Sequence, residues 1–472
     1  MENKSKKILL IDFGCTSVLG LRCAIENHEM QVEEVCRKPY ATMCVAGEIC
    51  CDFPKMLDTV VEMIEKCGTD ISAVGIDAWG VDYGVIDQEG HLIEMPRNYR
   101  DAQFGDSQKE LRKRLPDRDV YAHTGNQIWP FLTLYQMNAM RLNRPDTFRK
   151  IKTCLFLPDL LQYYLTGQTV CDETMLATSG FYNIKAHRYS RENLDAIGVS
   201  EKMFPPIVTP GHLTGNTANA LDARLRKYAL DVYTVCGHDM AGAVLATEAF
   251  YDKNTVFVNA GTWSLIGAVN RQPVIDDKSY ALGITNEIAY AGGEVVLKNV
   301  TGFYLLEKYK AQMEKACGRT IGFDEIEAYV AKDRETYALV DMQDPAFAEE
   351  DYCARKRIDD VITRQGHADG LPREPFGYYT LLYRSLAETY KTAIKALSAC
   401  TGVPYKKIVL IGGGAKSDFF AHLVESVTEM CVERGPGEAT ALGNALVIFK
   451  ARGDIASIKE GQRLIRAWEN RK

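Results

Sequence analysis

Ile8-Leu9-Leu10-Ile11-Asp12-Phe13-Gly14-Cys15-Thr16-Ser17-Val18-Leu19-Gly20 reads as a buried strand, a tight glycine turn carrying small hydroxyl residues, and a second strand. The same arrangement returns as Val256-Phe257-Val258-Asn259-Ala260-Gly261-Thr262-Trp263-Ser264-Leu265-Ile266-Gly267. Asp12 falls on Asn259, Gly14 on Gly261, Ser17 on Ser264 and Gly20 on Gly267, all at one sequence offset. Glycine lets a backbone approach an anion closely, while amide and hydroxyl donors point at it. Two copies, each near the start of one half of the chain, predict two related halves closing on a nucleotide. The competing reading is two ordinary hairpins that match by chance.

The 472 residues correspond to about two to four domains, and the repeat favours two large ones, 1–247 and 248–472. Hydrophobic residues make up 46% and charged residues 25%, the usage of a soluble globular chain. A net charge of −7 argues against a nucleic-acid partner, which needs a basic patch. A nucleotide is still admissible, because backbone donors and helix N-termini hold phosphate without net positive charge. Lys4, Lys6 and Lys7 precede an apolar run, but Asp12 ends it after Ile11. A secretory leader needs about 7–15 apolar residues and a bilayer span roughly 18, so no membrane association and a cytoplasmic location are expected. The 14 cysteines show no Cys-x-x-Cys pair and no zinc-type spacing, which reads as reduced, mostly buried thiols.

Further along, Ala73-Val74-Gly75-Ile76-Asp77-Ala78-Trp79-Gly80-Val81-Asp82-Tyr83 reads as a buried strand, a glycine-hinged corner and another strand. At the open end of a sheet, where α/β proteins place ligands, Trp79 could stack on a sugar ring and Asp82 accept from its hydroxyls. Alternatively Trp79 is simply core. Val232 to Cys236 is a buried strand that ends in Gly237-His238-Asp239 and enters a small-residue helix at once. Asp239 then lies near a helix N-terminus, a position that keeps a carboxylate ionised, or merely caps that helix. Ile408-Val409-Leu410-Ile411-Gly412-Gly413-Gly414 is a strand and a triple glycine, followed by a helix from Ser417. Lys416 lacks Walker spacing, so a flat backbone platform for adenosine or ribose competes with a turn needed only for packing. Helices are expected over 54–67 with Gly68 as cap, around 108–114, over 158–167 with Pro158 in the first turn, and over 378–399 with Leu382, Leu386, Tyr390, Ile394 and Leu397 on one face. Residues 297–308 read as a turn feeding an amphipathic helix. Residues 171–183 form a polar segment able to line a cleft, and 435–445 a turn and a small-residue helix able to pack closely under the sheet.

Taken together, the paired hairpins, Gly237-His238-Asp239 and Gly412-Gly413-Gly414 resemble the FGGY carbohydrate kinases, over about Ile8 to Val447. That resemblance implies an α/β, two-domain actin/hexokinase-like ATPase fold built from duplicated ribonuclease H-like domains. Gly75 to Tyr83, Pro130 to Gln136, Gly261-Thr262-Trp263-Ser264-Leu265 and Ile284-Thr285-Asn286-Glu287 are similar to the branch of the family acting on L-rhamnulose. The implied reaction uses ATP and Mg2+ to phosphorylate the O1 hydroxyl of L-rhamnulose or a similar 6-deoxy-ketohexose, giving L-rhamnulose 1-phosphate and ADP. Asp239 resembles the base that takes the hydroxyl proton, and Trp79, Gly80, His238 and Asn299 match sugar contacts. Gly14, Cys15, Thr16, Ser17, Val18 and Leu19, with Gly261, Thr262, Glu307, Gly413 and Gly414, match the nucleotide site. Asp12 matches the carboxylate facing magnesium, directly or through water. Sugar and ATP are the expected partners, with no nucleic acid and no membrane, in a monomer or homodimer.

Several positions depart from the family pattern. Leu19 stands where relatives carry Arg or Lys, with Arg22 or Lys298 as possible substitutes. Met240 and Gly242 replace small hydroxyl residues, Glu307 replaces Gln, and Met175-Leu176 replace Asn and a small residue. Asn126 takes an apolar position in the Thr-Gly-x-Gln turn. A kinase for another ketose or pentulose, such as fuculose or xylulose, and a non-catalytic sugar or nucleotide sensor are the alternatives.

Overall fold

A computed structural model describes residues 7–348 and 352–471. Lys4 and Lys6, at the head of the short apolar run, lie outside them. The chain divides into two compact units. The first comprises Met1–Phe250, Val269–Val296 and Glu438–Lys472, and the second Tyr251–Ala268 and Leu297–Gly437.

In the first unit the strand Ile8–Phe13 is central and apolar along nearly its whole length, as a strand covered on both faces must be. It pairs antiparallel with Ser17–Glu26 and parallel with Ala73–Ala78. The six-stranded order is Leu213–Asn216, Asp231–Tyr233, Ala73–Ala78, Ile8–Phe13, Ser17–Glu26, Glu29–Pro39. In the second unit Thr255–Ala260 pairs antiparallel with Trp263–Asn270 and parallel with Lys407–Ile411, which pairs onward with Cys431–Arg434. Each sheet is therefore built around a hairpin whose first strand also runs parallel to a strand much later in its half. The turns are not identical. Phe13 pairs with Val18, whereas Ala260 pairs with Ser264, so the second turn is one residue shorter and the single offset does not extend to the register.

The helix Phe53–Cys67 starts where the Asp52 side chain accepts from the Lys55 amide at 3.2 Å, with Pro54 in its first turn. It stops at Gly68, which takes φ 58°. Met56, Val60, Val61 and Ile64 bury one face in the cluster that contains Leu9 and Ile11. Leu157–Thr166 and Gly377–Thr401 form where the spacing placed them, each capped by a left-handed glycine. Two expectations change. The helix expected around 108–114 is Phe104–Leu111, and 297–301 is not a turn but the end of the strand Glu294–Thr301, with the helix beginning at Tyr304. Val295, Val296 and Leu297 are fully buried and extend the strand. The expected close packing at 435–445 is present. The helix Ala439–Arg452 approaches Asp239–Leu245 so tightly that a Cβ on Gly443 would overlap the Gly242 carbonyl oxygen.

Trp79 and Asp82 belong to the core. Trp79 is 5% exposed, packs on Tyr40 at 5.4 Å, and donates its indole N–H to Asp82 at 2.7 Å. Asp82 also accepts from Asn98 at 2.9 Å and Gln136 at 3.2 Å. Its acceptor capacity is used by the protein, so it does not wait for sugar hydroxyls; burial pushes its carboxyl up to about 7. Asp82→Ala should take the carboxylate acceptor from the buried Trp79 and Asn98 donors and lower stability by roughly 2–4 kcal/mol. Urea denaturation at an unchanged slope checks this.

Candidate active site

The loop Gly237-His238-Asp239 leads into the helix Asp239–Leu245 and emerges beside the end of Ala73–Ala78, whose Ala78 amide donates to the Gly237 carbonyl at 2.9 Å. Residues 172–178 brace both. The Asp172 carboxylate accepts from the amides of Gly237 (3.1 Å) and Met175 (3.0 Å) and from the Thr174 hydroxyl. Thr174 Oγ1 accepts in turn from the His238 amide at 3.1 Å. Thr178 Oγ1 accepts from the Val81 amide at 3.1 Å, and a Cβ on Gly80 would press on the same side chain. Gly80, His238 and Asp239 are thus gathered by one polar segment of the first unit.

Two carboxylates flank the His238 ring. Nδ1 lies 3.1 Å from Glu287 Oε2, and Nε2 lies 3.5 Å from Asp239 Oδ1. The Glu287 approach is an ion pair by distance but lies outside hydrogen-bonding geometry. Burial acts to lower the imidazole, yet Glu287 and Asp239 outweigh it and lift it to about 9. Burial raises the Asp239 carboxyl above the ordinary aspartate range, and the pull of His238 and of the Met240 amide at the helix start only partly offsets this.

Asp12 lies opposite Asp77 in the parallel register. Burial, and then Asp239, push Asp12 up to about 7; burial and Asp12 raise Asp77. Asn444 steadies the pair, donating to Asp77 Oδ2 at 2.8 Å and exchanging bonds with the Cys236 carbonyl (3.1 Å) and amide (3.0 Å). Asp77 Oδ1 has no hydrogen-bond partner. The nearby cation Arg37 is engaged by Glu34 and Glu438. This excess of buried negative charge fits a divalent ion held by Asp12. No group of three or more His, Cys, Asp or Glu among the described residues could hold a metal alone. A small hard cation takes one or two carboxylates and fills its shell with phosphate and water oxygens.

In the first hairpin turn the Gly14 amide donates to the Ser17 carbonyl at 2.9 Å. Thr16 is exposed, Cys15 and Ser17 half-buried. The Tyr99 hydroxyl donates to Cys15 Sγ at 3.5 Å, and burial lifts that thiol to about 11. Val18 and Leu19 bury their side chains, leaving only backbone to a nucleotide. Arg22 does not replace the absent cation, because Asp70 and Glu33 already hold it. Lys298 is half-buried, and burial lowers its pKa.

The second unit assembles its own turn. Thr262 Oγ1 donates to Glu307 Oε2 at 3.2 Å, and the amides of Gly302 and Phe303 donate to the carbonyls of Thr262 and Gly261. Gly412 takes φ 78° with no room for a Cβ beside the Asn259 amide, and Gly414 packs on Ala260 and Phe303. Gly261, Thr262, Glu307, Gly413 and Gly414 therefore converge. Asn299 is half-buried on Glu294–Thr301. Asp172, Thr174, Asn444 and Glu287 join the site from stretches that the sequence marks without naming these side chains: the polar segment 171–183, the close-packing helix of 435–445 and the Ile284-Thr285-Asn286-Glu287 motif.

Two duplicated α/β halves, each with a glycine hairpin turn, define an ATPase-type phosphotransferase fold. Solved structures agree. A xylulose kinase from Lactobacillus acidophilus superposes with a TM-score of 0.79 at 18% identity, covering 97% of this chain and 92% of that one. Plasmodium falciparum glycerol kinase with ADP superposes at 0.79 and 15%, covering 98% and 92%. This is the actin/hexokinase-like ATPase fold. Residues 8–246 match the N-terminal domain and residues 256–452 the C-terminal domain of the FGGY family of carbohydrate kinases. The chain belongs to that family, and is a sugar kinase, a phosphotransferase that uses ATP. It is 28% identical to the rhamnulokinase of Bacteroides thetaiotaomicron over 460 residues (96% of this chain, 93% of the relative). It is 29% identical to that of Bacillus subtilis over 467 residues (97% and 92%). No described helix is long and apolar enough to cross a membrane.

A methyl group at Gly302 would overlap the Gly261 carbonyl and the Ser264 hydroxyl. Gly302→Ala should displace the second turn and weaken ADP binding about tenfold, the equivalent of roughly 1.4 kcal/mol of overpacking. Calorimetric titration with ADP checks it.

Proposed function

We propose that the enzyme transfers the terminal phosphoryl group of ATP to the O1 hydroxyl of L-rhamnulose or a closely similar 6-deoxy-ketohexose, giving L-rhamnulose 1-phosphate and ADP, with Asp239 as general base. The observation carrying this reading is the half-buried Asp239 carboxylate beside His238, on a loop fixed by Asp172 and Thr174. Support for the sugar comes from the relatives, both called rhamnulokinase.

In this reading His238, Gly80 and Asn299 orient the sugar so that its O1 hydroxyl meets Asp239. Asp239 accepts the proton as the oxygen attacks phosphorus, a contribution of about 10²–10⁴-fold for a positioned base. The backbone of residues 14–19, with Gly261, Thr262, Glu307, Gly413 and Gly414, carries the nucleotide. Asp12 would hold Mg2+, which when bound neutralises charge on the phosphates. Trp79 acts from within the core, supporting the Gly80 corner.

Asp239→Asn should lower turnover by about 10²–10⁴-fold while ADP affinity stays as in the wild type. Turnover equal to wild type would refute the base role. The base must be ionised and burial raises it above 3.8, so wild-type kcat/KM should climb with pH through a limb lying above that value. The residual activity of Asp239→Asn should lack this limb. An ADP-release assay over a ketose panel should give L-rhamnulose the highest kcat/KM; preference for xylulose or fuculose would replace the substrate.

A further inference from the structure

Glu287 enters none of the roles above, although its carboxylate faces the neighbour of the base. It lies on the wholly buried strand Thr285–Ile288. A buried carboxylate is costly unless it is paired, and no lysine or arginine among the described residues pairs with Glu287. Its ionic partner is His238 Nδ1, at 3.1 Å. Catalytic contacts of this kind are often loose without substrate and tighten on binding.

The strand holding Glu287 is fixed to the scaffold that holds His238. The Asn286 amide donates to the Gly125 carbonyl at 2.9 Å, and its side chain donates to Gly125 and Val274 and accepts from the Val274 amide. Asn126 donates to the Ala177 carbonyl at 2.7 Å and the Asn286 carbonyl at 3.4 Å, and accepts from the Gly180 amide at 3.1 Å. Asn126, a departure from the family pattern, thus ties the Glu287 strand to the segment whose Thr174 accepts from the His238 amide. Ring partner and ring backbone have one support.

Which imidazole nitrogen faces a substrate is set by what the other one holds. We propose that Glu287 is a positioning residue for phosphoryl transfer: it holds His238 through Nδ1 and turns a protonated Nε2 toward Asp239 and a sugar oxygen beside the accepting hydroxyl. The charged groups facing the ring are Glu287, Asp239 and Asp172, all acidic, which favours the doubly protonated form. The proposal rests on the reading that sugar binds at His238 and Asp239.

The test combines steady-state kinetics of Glu287→Gln and Glu287→Asp, on whichever sugar the wild type turns over best, with ¹⁵N spectra of histidine-labelled protein without sugar. Glu287→Gln should lower kcat/KM for sugar about tenfold or more, the scale of losing a ring-orienting partner. KM for ATP and the melting temperature should stay unchanged, and Glu287→Asp should recover part of the loss. At pH 7 both His238 ring nitrogens should be protonated in the wild type and only one in Glu287→Gln. A neutral wild-type His238, or unchanged sugar kinetics in Glu287→Gln, overturns the proposal. If Glu287→Gln fails to fold, Glu287→Asp and the wild-type spectrum decide. Wild-type protein that prefers another ketose would refute the substrate but not the ring orientation, which the spectra read independently.

Discussion

In the first unit burial raises the carboxyls of Asp12, Asp77 and Asp239; the charge of Asp239 raises Asp12 further, and those of Asp12 and Asp239 raise Asp77. Isolated buried carboxylates would simply take up protons. Here Asn444 supplies donors at fixed positions, and the remaining unpartnered oxygen of Asp77 leaves the cluster short of positive charge. Under the proposed role of Asp12, the divalent cation that accompanies ATP would supply that charge.

The rest of the first unit keeps those groups from relaxing apart. The side chain of Asn444 reaches the Cys236 backbone only because Gly443 and Gly242 allow two helices to touch. Asp172 and Thr174 then fix the loop from Gly237 to Asp239 through the Gly237 and His238 amides, leaving the His238 ring to Glu287 and Asp239. Cavities or charges introduced in this support would act on chemistry without touching substrate.

In the second unit the constraint is steric. Gly302 comes against the turn at Gly261, and Gly412 and Gly414 against Asn259 and Ala260 just before it, where any side chain would collide. The Thr262–Glu307 bond is formed within that turn. Glu307 in place of the family's Gln keeps the acceptor and loses the amide donor, so the pair stays intact with Thr262 as donor.

Much of this was legible in the chain. The apolar runs at Ile8 and Val256 with their glycine turns determined the paired hairpins, since a strand buried on both faces leaves a continuous hydrophobic signature. Pro158 and Gly167, and Gly68 after Cys67, marked helix limits because their backbone preferences are local. The Gly-His-Asp loop was visible for the same reason. What stayed hidden depends on long-range approach. Between sugar contact and core, the two readings the chain leaves open for Trp79, local pattern does not choose; the bonds of Trp79, Asn98 and Gln136 to Asp82 are made only across the fold. Helix-end electrostatics alone point to a lowered Asp239 carboxyl, whereas burial, which no local pattern encodes, raises it. Asn444, Asp172 and Glu287 reach their partners from 367, 65 and 49 positions away, distances that only folding closes. Sequence by itself determined the class of chemistry, through local backbone and hydrophobic patterns; the tertiary structure alone decided which polar side chains are spent on holding the site and which are left to act, because desolvation and pairing exist only once distant segments meet.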